Sequence, residues 1–162
     1  MDVSSYRHDD SIRINLPAPQ VYAIVSDVTR MGELSPVCTS CTWDHASRAG
    51  DEGSWFTGHN AIGDLTWDTR CKVVAADPGR RFAFINYGLD GAAELVRWGF
   101  DFESADGETR VTESWQVLPA YPSFIGADST DAEIAARIDG MAALAREGIQ
   151  ETLANLKSVA EA

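Results

Sequence analysis

Positive charge is scarce in this chain: 13 Lys and Arg stand against 25 Asp and Glu, a formal net charge of −12 at pH 7. The cations are scattered and form no basic stripe. Nucleic acid and anionic membrane surfaces are therefore not expected partners, since their phosphates repel a protein of this sign. Long hydrophobic runs are missing too, and no stretch approaches the roughly 20 apolar residues that cross a bilayer. Met1-Asp2-Val3-Ser4-Ser5 lacks the basic and apolar parts of a secretory leader, so we expect a cytoplasmic protein. Cysteine is sparse, and three residues are an odd number with no disulfide framework. His8, His45 and His59 are scattered, and there is no Ser-His-Asp order, Gly-rich phosphate loop or dinucleotide fingerprint. What is present is ordinary globular composition, 44% hydrophobic and 23% charged over 162 residues. We read residues 1–162 as a single domain that buries its core without disulfide or metal staples.

The order of elements carries most of the information. Residues 5–16 end in Ile12-Arg13-Ile14-Asn15-Leu16, an alternation suited to a half-buried strand, which Pro17 and Pro19 stop. Pro19 suits the first turn of a helix whose apolar side is Val21, Tyr22, Ile24 and Val25 and which runs to about Ser26. Asp27 caps a second short helix, weakened by Gly32 and ended by Ser35-Pro36. Six strand-like segments follow, near 38–47, 54–61, 65–76, 80–87, 93–104 and 109–118. Turn sequences such as Gly63-Asp64, Asp77-Pro78-Gly79 and Ala105-Asp106-Gly107 separate them, so neighbours in sequence should be antiparallel neighbours in a sheet. Residues 119–130, with Tyr121, Phe124 and Ile125, read as a loop and as a candidate lid.

Thr130-Asp131-Ala132-Glu133 is a capping-box sequence that opens a helix from about Asp131 to Ala160, roughly 45 Å long at 1.5 Å per residue. Ile134, Ile138, Met141, Ala145, Ile149, Leu156 and Val159 form one stripe, with Asp139, Arg146, Glu147, Gln150 and Lys157 on the other side. In a chain of this size such a helix has one place, across the concave face of a curved antiparallel sheet. The expected class is α+β: a seven-stranded sheet wrapped around the C-terminal helix, with two short helices after the first strand. A sheet that grips a helix in this way encloses a hollow, and hollows bind small molecules.

Alternation assigns the side chains that face the hollow, subject to bulges. Phe56, Gly58 and Asn60 share one face of their strand. Leu65, Trp67, Thr69, Cys71 and Val73 point inward on the next, and Asp68, Arg70 and Lys72 point to water. Phe82, Phe84 and Asn86 follow, then Val96, Trp98, Phe100 and Phe102, and finally Val111, Glu113, Trp115 and Val117. The ligand-facing set is therefore Phe56, Asn60, Trp67, Phe82, Phe84, Asn86, Trp98, Phe100 and Trp115, with Met141, Ala145 and Gly148 from the helix. These rings either fill the core or form the wall of a pocket for a planar or polycyclic ligand. Gly148 costs helix stability and leaves room beside the stripe for a ligand or a large sheet residue. Glu113 is the candidate acid, base or ligand anchor, because desolvation raises the pKa of a buried carboxyl. A one-residue phase error would instead place Thr112 and Ser114 inside. Asn60 and Asn86 are candidate ligand-orienting amides.

Cys38-Thr39-Ser40-Cys41 has CxxC spacing, but a strand follows it rather than the helix N-terminus that activates a redox thiol. No second pair completes a zinc site. No metal, cofactor or redox role is expected.

Certain segments carry a family resemblance: Ile14-Asn15-Leu16-Pro17-Ala18-Pro19-Gln20-Val21-Tyr22, Val25-Ser26-Asp27-Val28, Leu34-Ser35-Pro36, Phe56-Thr57-Gly58-His59-Asn60, Asp77-Pro78-Gly79-Arg80-Arg81-Phe82, Trp98 and Thr109-Arg110-Val111-Thr112-Glu113-Ser114-Trp115. Over nearly its whole length the chain resembles the helix-grip fold of the START and pollen-allergen-like superfamily, in particular bacterial proteins of the polyketide cyclase/dehydrase (SRPBCC) type. The resemblance implies the fold above and a hydrophobic small-molecule ligand. Because the fold hosts carriers, receptors and enzymes alike, it leaves the activity open. Cyclising members resemble one another in an arginine inside the cavity; the nearest candidate here, Arg70, falls on the outward face. Three functions follow as expectations: a carrier or sensor of a hydrophobic molecule; a cyclase or dehydratase with Glu113 as general acid/base; or a pocketless protein-interaction domain presenting Tyr121, Phe124 and Ile125.

Overall fold

The computed structural model describes all residues, Met1–Ala162. Strand β1 (Arg7–Ile14) is followed by helix α1 (Ala18–Ser26), a 3-10 turn (Val28–Arg30) and the single-turn helix α2 (Met31–Leu34). Strands β2 (Cys38–Trp43), β3 (Trp55–Ile62), β4 (Leu65–Asp77), β5 (Arg81–Tyr87), β6 (Glu94–Ala105) and β7 (Glu108–Val117) come next. A short helix α3 (Tyr121–Ile125) precedes the long helix α4 (Asp131–Ala160). The sheet is antiparallel throughout in the order β1-β7-β6-β5-β4-β3-β2, so β1 and β2 are its edges. This is the expected helix-grip arrangement.

Local chemistry accounts for the helix boundaries. Pro17 and Pro19 open α1, and the Asp27 side chain accepts from the Thr29 amide to cap the 3-10 turn. Gly32 has a different role from the one expected of it. A Cβ there would lie 2.1 Å from the Thr39 carbonyl oxygen, so glycine permits α2 to rest directly on β2. The capping box of α4 is complete: Glu133 N–H donates to Thr130 Oγ1 at 3.2 Å, and Thr130 N–H donates to Glu133 Oε2 at 2.9 Å.

Helix α4 seats one apolar flank, Ile134, Ile138, Ala142, Ile149, Leu153 and Leu156, in a core shared with β1, β7, α1 and α2. Polar ties fix its C-terminal half. Asn155 Nδ2 donates to the Leu34 carbonyl, Lys157 Nζ to the Arg13 carbonyl at 2.9 Å, and the Asn15 amide to Glu161 Oε2. Lys157, expected on the solvent side, is thus a tether to β1. At the same end of the sheet α1 covers β5 and β6, and Tyr22 meets Phe82 and Phe102 edge-on at 6.1 and 5.5 Å.

Burial along α4 separates two kinds of leucine. Leu156→Ala, with the side chain fully buried, is expected to destabilise the protein by about 2–5 kcal/mol. Leu144→Ala, at 53% exposure, should cost under about 0.5 kcal/mol. Urea unfolding of the two variants checks the seating.

Candidate functional site

Because α4 rests on the β1–β7 side, the concave face of β3 to β6 is left uncovered and a cavity of about 640 Å³ opens there. One flank of the helix, Arg137, Met141, Leu144, Ala145, Gly148 and Thr152, forms its ceiling. Phe56, Phe84, Trp98, Phe100 and Trp115 line its floor. Inner-face residues of neighbouring strands are register partners, Trp98 with Phe84 and Trp115, and Phe100 with Glu113. Phe56 and Phe84 meet edge-on at 5.2 Å. The mouth is ringed by large apolar side chains that are themselves exposed: Ile62, Trp67, Leu89, Phe124 and Leu144.

Most residues named from the sequence meet here. Phe56, Asn60, Trp67, Phe84, Asn86, Trp98, Phe100, Glu113, Trp115, Met141, Ala145 and Gly148 all line the cavity. Phe82 does not. It is fully buried at the far end of β5, where α1 lays Tyr22 over it, so it belongs to the core. Trp67 sits at the mouth with 37% exposure, and Leu65, expected inward, is 65% exposed in the projecting β3–β4 hairpin. Residues 119–130 are not a plain loop; α3 brings Tyr121, Phe124 and Ile125 to the cavity rim.

The polar groups of the lining differ in how far they are satisfied. Asn60 Nδ2 reaches the Trp67 carbonyl at 3.3 Å and Thr69 Oγ1 at 3.4 Å. Asn86 Oδ1 accepts from Cys71 Sγ at 3.1 Å, and its NH₂ has no protein partner. Glu113 is the outlier. It is 4% exposed, its Oε2 makes no hydrogen bond, and burial pushes its pKa well above the usual carboxylate range. With no cation to offset desolvation, burial favours the protonated form of this carboxyl to higher pH than in an exposed glutamate. Its register partner on β1 is Asp10, and His8 lies opposite Trp115 with Nε2 buried and unpartnered. Those two share the inner face but lie outside the cavity lining.

Arg70 faces outward, as its strand phase indicates. Its guanidinium makes a two-pronged ion pair with Asp44 at 2.7 and 2.8 Å and lies 5.1 Å from the Trp55 ring centroid. The cation at the cavity is Arg137, on α4. Arg137 and Thr152 were missed by strand alternation. The helical period carried the signal, because 137, 141, 144, 148 and 152 recur at three or four residues along one flank.

These features agree with what the chain is similar to. The family model described as "Polyketide cyclase / dehydrase and lipid transport" matches residues 7–161. The chain belongs to this family. A structural relative within the polyketide cyclase/dehydrase group is the Polyketide_cyc-like protein Cgl2372 from Corynebacterium glutamicum. It is 37% identical, with 99% of this chain and 94% of that one covered and a TM-score of 0.70. The ZhuI aromatase/cyclase from Streptomyces sp. R1128 shares the fold at 16% identity, covering 96% and 93% of the two chains, with a TM-score of 0.68. Ara h 8.0201 does so at 16% identity, 96% and 97% coverage and a TM-score of 0.62. No curated protein matches the sequence.

Glu113 makes stability depend on pH in a definite direction. Its folded pKa lies above the value of about 4.5 of a free glutamate, so over the interval between the two the folded state binds the extra proton. The contribution of Glu113 to stability is therefore fully present below about pH 4.5 and is lost as pH rises, by up to about 1.4 kcal/mol per pH unit, until the folded pKa is passed. Glu113→Gln removes this dependence. We expect the variant to melt close to wild type at pH 4 and above it at pH 8, as followed by thermal denaturation across pH.

Proposed function

We propose that the protein binds a hydrophobic small molecule, aromatic or polyketide-like, in the cavity between sheet and C-terminal helix, and serves as a carrier or sensor in the cytoplasm. The observation that carries this reading is the cavity itself. Its volume of about 640 Å³ falls within the range of roughly 300–1,000 Å³ typical of small-molecule sites, and its floor is aromatic. Flat rings on the floor favour a planar ligand, which gains stacking and edge contacts as well as burial. Glu113 and the free NH₂ of Asn86 offer donors to a ligand carbonyl or hydroxyl, and an apolar molecule of this kind needs no cationic anchor. Residues 1–162 act as one binding unit in this proposal.

A second reading has its own support. A buried carboxyl on a cavity wall, its pKa raised by desolvation, is suited to general acid catalysis on a carbonyl, with Asn60 or Asn86 orienting it. The fold shared with an aromatase/cyclase is compatible with cyclisation or dehydration of a polyketide-like chain. Glu113→Gln separates the two readings: a carrier keeps its affinity to within a few fold, whereas an enzyme keeps binding and loses turnover.

Gly148 provides the test of the cavity. A Cβ there meets nothing within 4 Å, so a side chain at this position starts in open space on the flank that lines the hollow, and Gly148→Leu improves helix propensity by up to about 1 kcal/mol. We expect it to fold at least as stably as wild type and to bind 1-anilinonaphthalene-8-sulfonate at least tenfold more weakly. Native mass spectrometry of freshly purified wild type, followed by denaturing extraction, should release an apolar molecule that Gly148→Leu lacks. Equal dye affinity in the two proteins would remove the cavity as the binding site.

A further inference from the structure

The CxxC segment behaves differently in three dimensions from what its spacing suggests. In a regular strand, residues i and i+3 point to opposite faces. Here the β2–β3 register runs Cys38 with Asn60, then Ser40 with His59, so two steps on β2 oppose one on β3. This bulge at Thr39 turns Cys38 onto the face that carries Cys41, and both thiols line the cavity. Cys38 Sγ and Cys41 Sγ stand 3.4 Å apart.

The surroundings hold them there. Ser35 Oγ accepts from the Cys38 amide at 2.9 Å, and Thr39 Oγ1 donates to the His59 carbonyl. Gly32 admits the Thr39 carbonyl where any Cβ would collide with it. Gly58 is the register partner of Cys41, and both sulfurs lie 3.9 Å from where a Cβ would stand there, within ordinary van der Waals contact; the tight neighbour at that position is Thr69 Oγ1, at 2.7 Å. The two cysteines also differ in access: Cys41 is buried and Cys38 is partly exposed. The hydrogen bond from Cys41 holds the Cys38 thiol below the usual range, against the opposing effect of burial, and the same bond together with burial pushes Cys41 upward. Cys71 differs in kind. It is pushed up to about 12 by burial, and its Sγ bonds to Asn86.

We propose that Cys38 and Cys41 form a dithiol site in the cavity wall that undergoes thiol–disulfide exchange with low-molecular-weight disulfides. Cys38, as thiolate, attacks one sulfur of the small disulfide, forming a mixed disulfide and expelling one small thiolate. Cys41 then loses its proton and attacks Cys38 Sγ, closing the Cys38–Cys41 bond and expelling the second small thiolate. The protein loses two electrons and two protons, and the small disulfide gains both as two thiols. Closing the pair from 3.4 Å to about 2.0 Å moves only a bulged segment of an edge strand, where the ladder is already interrupted.

Oxidised glutathione is the probe. The full chain is incubated with it, quenched in acid, denatured and alkylated with iodoacetamide. Reduced wild type takes up three alkyl groups, and the oxidised form should take up one, on Cys71. The tryptic peptide Met31–Arg48, which carries both other cysteines, should be lighter by two hydrogens than its reduced, unalkylated form, and excess reduced glutathione should restore it. Cys71→Ser should form the bond at the wild-type rate. Cys41→Ser should stop at a glutathione adduct on Cys38, and Cys38→Ser should react at least about tenfold more slowly. A wild-type adduct that never resolves, a bond that includes Cys71, or three unreacted thiols would each overturn the proposal. The wild-type peptide map decides this even if a variant fails to fold, and no ligand enters the experiment.

Discussion

The seating of one flank of α4 on β1, β7 and α2 is the contact on which the remaining architecture depends. Ile149, Leu153 and Leu156 bury themselves there, and three polar ties from Asn155, Lys157 and Glu161 fix the helix end to backbone groups of α2 and of β1 and the turn after it. A helix held so far to one side cannot also cover β3 to β6. The sheet curves beneath it, and the space between is bounded by the other helix flank, by α3, by Met31 and residues 35–38, and by Gly88 and Leu89. Cavity volume is thus set by where the helix is anchored, more than by the size of any lining residue.

Within that hollow the electrostatics are unusual for what they lack. Glu113 has no cation beside it, and the cavity's arginine, Arg137, stands on the ceiling helix as an exposed side chain. The polar groups left free toward a ligand are therefore few: the Glu113 carboxyl and the NH₂ of Asn86, since the Asn60 NH₂ is already bonded to the Trp67 carbonyl and Thr69 Oγ1. Groups of this kind orient a carbonyl or hydroxyl without demanding a charged ligand.

Much of this was legible in the chain because two periods dominate it. The period of two placed Trp98, Phe100, Glu113 and Trp115 on the inner face, and the capping box and 3.6-residue stripe located α4 correctly from Asp131 to Ala160. The failures share a physical origin, because they lie where long-range packing decides. Phe82 has the right phase, but α1 covers that end of the sheet, which no local pattern reports. Leu65 has the right phase on a hairpin that overruns the sheet, and it ends up exposed. The facing thiols of Cys38 and Cys41 depend on a bulge held by Gly32 from another element, and strand alternation assumes no bulge. His8 and Asp10 were not assigned a face, since β1 was read for its Ile12–Ile14 alternation alone.

The hollow also sets limits on how the chain can be explained as a folded object. Gly148 faces it from mid-helix, where alanine would be more stable by up to about 1 kcal/mol and a larger residue would fill empty space. Glu113 places an unsatisfied carboxyl in the wall, where glutamine or an apolar residue would escape the desolvation penalty above pH 4.5. Exposed Ile62, Leu89 and Phe124 at the rim leave apolar surface in water. Each feature lowers stability, ordinary substitutions would relieve each, and all of them lie around one cavity. A fold optimised only to persist has no reason to concentrate its costs in one place. A fold that must admit a hydrophobic molecule has to keep that volume empty, that rim apolar and a polar group waiting inside.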